Sequence, residues 1–430
     1  MSRIETEDPV IDRDPRLTWQ ILLIVPVVVG ALTGLVVGLV VRLIEDYLLE
    51  TVVLGLPGLW FAVPAMAVFV LTRIALLKVA GTNKPGTAEL YPHYYHHPDQ
   101  HYPTRQTPGR ILSGATTVGL GGSQGLESQS VLIGSTIGIL LRRLFRGRLD
   151  YLARPEGRNL LLVCGASAGI ATVFSSPILG ALYGLEMPFR NRLDARRLIP
   201  AVLAAGASFG AASLTKNARS LMTYVPHEIG TKEIVGVLIV GVLCGAGARG
   251  FVWIMEHTRS YKDGSRPYLR AALAGVALSL LAMSAWLITG SAITAGPGYV
   301  ASDWALPSSG VTPAIGLLLA ALVIRAISVL LCVAAGGGGG VFTSMAVNGI
   351  LLGTLVAAVL GLENPTLLAL AGACAFLGAG YRLPLATAGL LAEVAGAAAP
   401  IALGLVAIGI AMVFMGSTSA SSTQTDARSV

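Results

Sequence analysis

The run Gly121-Gly122-Ser123-Gln124-Gly125-Leu126-Glu127-Ser128-Gln129 sets polar groups inside a stretch of small residues and opens directly into an apolar segment. A second run, Gly336 to Gly340, is followed by Val341-Phe342-Thr343-Ser344 and another apolar segment. A glycine-rich break that leads into a helix presents unpaired backbone N–H groups and the positive end of the helix dipole. Two such starts facing each other suit a small anion and repel a cation. The competing explanation is that the glycines only allow close helix packing. Five consecutive glycines weaken a helix by more than packing needs, which favours a ligand site. A dinucleotide fingerprint fits poorly, because no strand precedes the glycines and no acidic residue follows at the required distance.

The elements that must position these residues are membrane helices. The chain has 430 residues, of which 54% are hydrophobic and 12% charged, with mean hydropathy +0.71. A soluble chain carries about 25% charged residues. An all-α polytopic membrane protein is the consistent class. The formal net charge of +7 comes without a basic stripe interleaved with aromatics, which excludes a nucleic-acid partner. Cys164, Cys244, Cys332 and Cys374 lie in apolar stretches without CxxC spacing and read as small buried hydrophobes. No cofactor, metal site or enzyme chemistry is expected, since no nucleophile–base or ligand set lies within the apolar segments.

Apolar runs long enough to span appear near 19–44, 51–80, 233–256, 268–290 and 311–335. Others are shorter and interrupted, as at 158–172, 175–188, 341–360, 366–379, 383–397 and 399–415. Half-helices meeting near the midplane explain these. Basic loops at 142–157, 190–197 and 258–270 belong in the cytoplasm by the positive-inside rule. The order predicts a polar segment over 1–18, a first membrane repeat over 19–215, a second over 216–416 and a polar tail over 417–430. The duplication shows in the sequence. Pro177 precedes Glu186, and Pro384 precedes Glu393, by the same spacing. Gly165-Ala166 matches Gly372-Ala373, and Gly125, Gly134 and Gly138 match Gly340, Gly349 and Gly353. Two inverted copies would place a site at their interface.

These motifs resemble those of the CLC family of chloride channels and chloride/proton antiporters, whose anion-site patterns are GSGIP, GREGP and GxFxP. Gly81-Thr82-Asn83-Lys84-Pro85, Gly122-Ser123-Gln124-Gly125-Leu126 and Gly340-Val341-Phe342-Thr343-Ser344 stand in their places, and the likeness covers most of 19–416. The resemblance implies a CLC-type fold with broken helices and inverted repeats. It also implies a homodimer in the inner membrane with an anion pathway in each subunit, whose contact faces lie near 178–215 and 390–412. It assigns Thr82 as the hydroxyl ligand and the amides of Val341 and Phe342 as further ligands, with Ser123, Gly125, Gly340 and Thr343 around them. Ser421 falls where the family has a tyrosine, so the inner mouth is expected to be wider.

The family's gate is the glutamate of GREGP, and Gln124 falls there; an amide does not titrate near neutral pH. The inner proton-relay position falls on Met187, which carries no proton. The expectation is therefore passive, uncoupled conductance of small monovalent anions, chloride first. Glu127 is the rival gate, three residues on and nearly on the same helix face, which would make the chain a proton-coupled antiporter. Its alternative role is a hydrogen-bonded or neutral acid in the bundle. Lys84 would attract anions or else snorkel to the interface, and Arg382 reads as an interfacial anchor. A fluoride exporter is less favoured, because Thr82 keeps a hydroxyl. A non-conducting anion sensor is the reading from another class. The histidines at 93, 96, 97 and 101 read as a solvated loop, since Pro92, Pro98 and Pro103 oppose a stable helix.

Overall fold

The computed structural model describes residues 20–86, 88–144, 150–216, 218–259 and 266–426. The N-terminal segment 1–18, and Arg146, Arg148 and Lys262 of the basic loops, lie outside the described residues. The fold is all-helical. The first half runs α1 (Leu22–Val53), α2 (Gly58–Ala80), α3 (Leu90–His96), α4 (Thr107–Gly119), α5 (Glu127–Leu144), α6 (Pro155–Phe174), α7 (Pro177–Glu186) and α8 (Leu198–Ala212). The second half runs α9 (Thr231–Arg259), α10 (Pro267–Thr289), α11 (Tyr299–Ala305), α12 (Ile315–Ala334), α13 (Phe342–Leu360), α14 (Thr366–Tyr381), α15 (Pro384–Ala395) and α16 (Ala398–Met415).

Among the described residues, eight helices are long and apolar enough to cross a membrane. Five are the expected long spans. Of the other three, α13 and α16 match their expected segments to within one residue, and α6 is longer than expected. In α6 the excess is its first turn, where Pro155 starts the helix and Glu156 and Arg158 hide it from a hydropathy reading. The elements α4, α7, α8, α14 and α15 are too short to cross a core of ~30 Å.

The duplication is built into the packing. At the α5–α6 crossing, a Cβ added to Gly134 would lie 2.0 Å from the Gly165 carbonyl oxygen; at the α13–α14 crossing, one added to Gly349 would lie 2.1 Å from that of Gly372. Only glycine lets these backbones meet. Both α6 and α14 then end on a left-handed residue, Ser175 (φ 52°) and Arg382 (φ 55°), before a proline starts the next helix. The glutamates at the far ends close the symmetry. Glu186 accepts the Leu385 and Ala386 N–H groups at 3.2 and 2.8 Å. Glu393 accepts those of Ile178 and Leu179 at 2.7 and 3.4 Å, and the Ser176 hydroxyl. Each copy therefore caps the short helix of the other.

Membrane sidedness follows from charge. Arg158 donates to the carbonyls of Tyr94, His97 and Gln100, Arg142 to that of Leu152, and Arg197 to Tyr95 Oη and Asp194. One face thus collects the basic residues, and the positive-inside rule makes it cytoplasmic. The start of α1 belongs to this side, because Val25 and Val29 pack with Leu152, Leu160 and Leu161. The other end of α1, Arg42–Val53, is wound with wider π-type turns and lies on the outer side.

Two expectations are corrected. The histidine-bearing segment is no solvated loop: α3 forms, with Tyr91 fully buried and His96 Nε2 2.7 Å from the Pro188 carbonyl. Pro92 is tolerated because it falls in the first turn, where its missing N–H has no intrahelical partner. The polar tail, described as far as Asp426, packs against the helices. Ala420 donates to the Gly380 carbonyl at 2.7 Å, and Thr425–Asp426 pairs in parallel with Phe189–Arg190. Arg382 is held in this region by Asn191 and the Gly416 carbonyl rather than at a lipid interface.

Candidate anion site

The two glycine runs meet in the protein interior. Gly125 and Gly340 exchange both backbone hydrogen bonds, at 2.9 and 2.8 Å, as an isolated antiparallel bridge. This bridge sets the starts of α5 and α13 side by side with their first amides converging. Gln129 locks it from behind by donating its side-chain amide to the Gly338 carbonyl, and Thr117 accepts the Gly338 N–H at 2.9 Å. Ser123 donates to the Thr294 carbonyl, and Ser344 donates to the Ser123 carbonyl at 3.1 Å. Ser123 is thus a scaffold residue whose hydroxyl is spent on backbone.

A carboxylate occupies the cleft. Glu127 Oε1 accepts the Thr343 N–H at 2.5 Å, and Oε2 is buried with no hydrogen-bond partner. A Cβ on Gly125 or on Gly340 would come within 2.5 Å of a Glu127 oxygen, so glycine is required at both positions for the carboxylate to enter. Gln124 does something else. It turns toward the glycine run, and its Oε1 accepts the Gly339 N–H at 3.2 Å. Of the two gate candidates, Glu127 has the anion-like group among the converging amides, and Gln124 braces the loop beside it.

A small cavity of about 30 Å³ adjoins this cleft, with room for one water-sized or halide-sized guest. Its lining includes Gln124, Gly339, Gly340 and Val341 from the two runs, as the sequence expects. It also includes Pro85, Ala88, Glu89, Ser128 and Tyr381, which the sequence reading missed. Ser128 Oγ accepts the Ala88 N–H at 3.1 Å, which ties the segment before α3 to the first turn of α5.

Thr82 is not part of this lining. Its hydroxyl accepts the Lys84 N–H at 3.2 Å in a local turn, and Lys84 is exposed. The chain reaches the cavity three to seven residues later, and Thr87 lies outside the described residues. Ser421 is buried, but its hydroxyl lies 3.3 Å from Thr423 Oγ1 and not on the cavity. A tyrosine is nevertheless present. Tyr381 lines the cavity from the end of α14, its ring centroid 5.3 Å from that of Phe342. A tyrosine therefore borders this cavity from a different element than the one the resemblance points to. Phe342 also packs on Phe174 and Tyr183, at 5.4 and 5.6 Å, walling the site on one side. Thr343 contributes its amide, while its hydroxyl is buried without a partner. Met187 is buried next to Glu186, with the Gln424 side-chain amide 3.9 Å from its sulfur.

The comparisons fit this geometry. A family model described as voltage gated chloride channel matches residues 66–416. The voltage-gated ClC-type chloride channel ClcB of Citrobacter koseri is 25% identical over 319 residues, covering 70% of this chain and 73% of that protein. The H(+)/Cl(-) exchange transporter ClcA of Salmonella typhi is 28% identical over 298 residues, covering 65% of this chain and 59% of that one. Among solved structures, a CLC-type fluoride/proton antiporter superposes with a TM-score of 0.79 at 19% identity, covering 96% of this chain and all of its own. A slow cyanobacterial Cl-/H+ antiporter superposes at 0.76 with 21% identity, covering 94% and 95%. At such identities the superpositions carry the fold.

Proposed function

We propose, for a chain that belongs to the voltage-gated chloride channel (CLC) family and is a multi-pass membrane protein transporting anions, that Glu127 gates a path for small monovalent anions, chloride first, and couples it to protons. One observation carries this reading: the Glu127 carboxylate takes the Thr343 amide in the cleft between two helix starts. A carboxylate held there mimics the transported ion. When it is ionised it competes with chloride for the same donors. When it is protonated it loses its hold, and the amides become available to the anion. Val341, whose residue lines the cavity, and Tyr381 then border the guest on the inner side.

The decisive experiment is flux in reconstituted vesicles with chloride and proton movement recorded together. Glu127→Gln should let chloride pass without dependence on pH and should stop chloride-driven proton uptake. Proton uptake unchanged in that variant would remove Glu127 from the gate.

A second reading is uncoupled conductance, and Met187 favours it. A thioether stands at the position beside Glu186 where a second proton carrier is expected. Under that reading a chloride gradient drives no uphill proton movement in the wild type, although Glu127 still confers pH dependence. Saturable chloride binding without any flux would instead mark a sensor. We further infer a homodimer through the apolar surfaces around Ile199, Val202 and Val406, which are exposed on the single chain; analytical ultracentrifugation in detergent tests it.

A further inference from the structure

Glu45 is a buried acid in the outer part of α1 that the gate mechanism leaves unused. It is 6% exposed, and its Oε1 has no hydrogen-bond partner. An ionisable side chain at that depth is costly unless it is paired or functional. Its neighbourhood is charged in an ordered way. Lys216, which follows α8 and is itself 9% exposed, lies within electrostatic range and donates its ammonium to the Val173 carbonyl at 3.2 Å. Glu127, Arg219 and Asp46 also lie within electrostatic range. Tyr299 of α11 is buried and within range of both Glu45 and Glu127.

Nearer the surface, carboxylates gather around Arg219. Arg219 lies 4.3 Å over the Tyr299 ring and pairs with Glu50 and, at 3.6 Å, with Asp303. Asp303 is largely exposed, Glu50 partly so. The sequence of groups from outside to inside is therefore Glu50 and Asp303, then Glu45, then Glu127. The hydroxyls of Thr294 and Ser302, which flank Tyr299 in sequence, and both polar atoms of Asn348 of α13 are buried without partners. Buried polar atoms of this kind are normally satisfied by internal water, which would complete a hydrogen-bonded route.

We propose that Glu45 is the outward proton carrier of the gate: it takes a proton from the external solution and hands it to the Glu127 carboxylate. The transfer leaves Glu45 ionised beside Lys216 and Glu127 neutral, so charge and protons balance. Neutral Glu127 then releases the Thr343 amide to the anion. The cationic Lys216 makes the ionised form of Glu45 tolerable at this depth between turnovers. This inference rests on Glu127 as the gate. It does not depend on whether proton movement is stoichiometric, because the external pH response exists in either case.

The test is chloride flux in right-side-out and inverted membrane vesicles, with pH varied on one face at a time. Glu45→Gln should weaken the response to external pH by about ten-fold or more in rate while the response to internal pH is kept. Glu45→Asp should restore part of it. Lys216→Met leaves the carboxyl in place and should move the midpoint of the external response by about one pH unit; this keeps the proposal testable should Glu45→Gln not fold. An external response within two-fold of wild type in Glu45→Gln, or an unmoved midpoint in Lys216→Met, overturns it. If Glu127→Gln leaves the pH response intact, the gate assignment itself has failed. If Glu127→Gln removes the response and Glu45→Gln does not, only the role of Glu45 has failed.

Discussion

Three glutamates face helix N-termini in this protein, Glu127 and Glu186 buried and Glu393 half-buried, and they are not equivalent. Glu186 and Glu393 each accept at least two amides from the first turn of the opposite short helix. Glu127 accepts the Thr343 amide through Oε1, and its other oxygen has no hydrogen-bond partner. The chemistry is the same, a carboxylate on the positive end of a helix dipole. Saturation differs. A carboxylate held by several amides staples two helices together. One whose second oxygen has no partner is, on the proposed reading, open to displacement by another anion. On the proposed reading, this contrast separates a scaffold carboxylate from a gate.

The largest effect that can break this contrast is at Glu127. A hydrogen bond to a charged group contributes about 1.5–3 kcal/mol. Losing it in Glu127→Gln should raise flux at neutral pH by roughly ten-fold and abolish its pH dependence, as read by a chloride electrode. Glu393→Gln should do the opposite. It should cost about 3 kcal/mol of stability, measured as a lower Tm in detergent, while the flux per folded molecule keeps its pH profile. Should Glu393→Gln change the pH profile instead, the two carboxylates would not be separable in this way.

Gly340→Ala sharpens the comparison from the other side. Its Cβ would lie 2.5 Å from Glu127 Oε2, so the side chain must leave the cleft. A partial copy of the Glu127→Gln phenotype is expected, with wild-type pH dependence counting against the geometry. Gln124→Ala removes one neutral hydrogen bond to Gly339, about 1 kcal/mol, and should leave the pH profile alone. Lys84→Met should change flux by about two-fold at most, and only at low salt, because Lys84 is exposed.

Much of this architecture was legible beforehand. Composition and hydropathy gave the membrane class, and the repeated Pro-to-Glu spacing marked the duplication, though not the reciprocal caps that its glutamates form. The glycine pairs that mark the duplication are the ones through which α5 meets α6 and α13 meets α14. The site was less legible. Thr82 matches a motif letter but turns into a local hydrogen bond with Lys84, and the segment around Ala88 and Glu89 reaches the cavity instead. Tyr381 could not be anticipated, since its approach depends on where α14 ends and on the left-handed turn at Arg382.

What the sequence determined by itself was the membrane environment, the duplication and the two glycine-rich helix starts, because hydropathy, spacing and backbone freedom are properties of the chain read in one dimension. Only the tertiary structure separates the surroundings of Gln124 from those of Glu127. Three residues apart, they would share a face of a continuous helix, and no local rule distinguishes them. The bridge between Gly125 and Gly340 interrupts that helix, so Gln124 falls before the bridge and turns to Gly339, while Glu127 begins α5 and points to Thr343. That register is fixed by contacts between the two halves of the chain, more than two hundred residues apart.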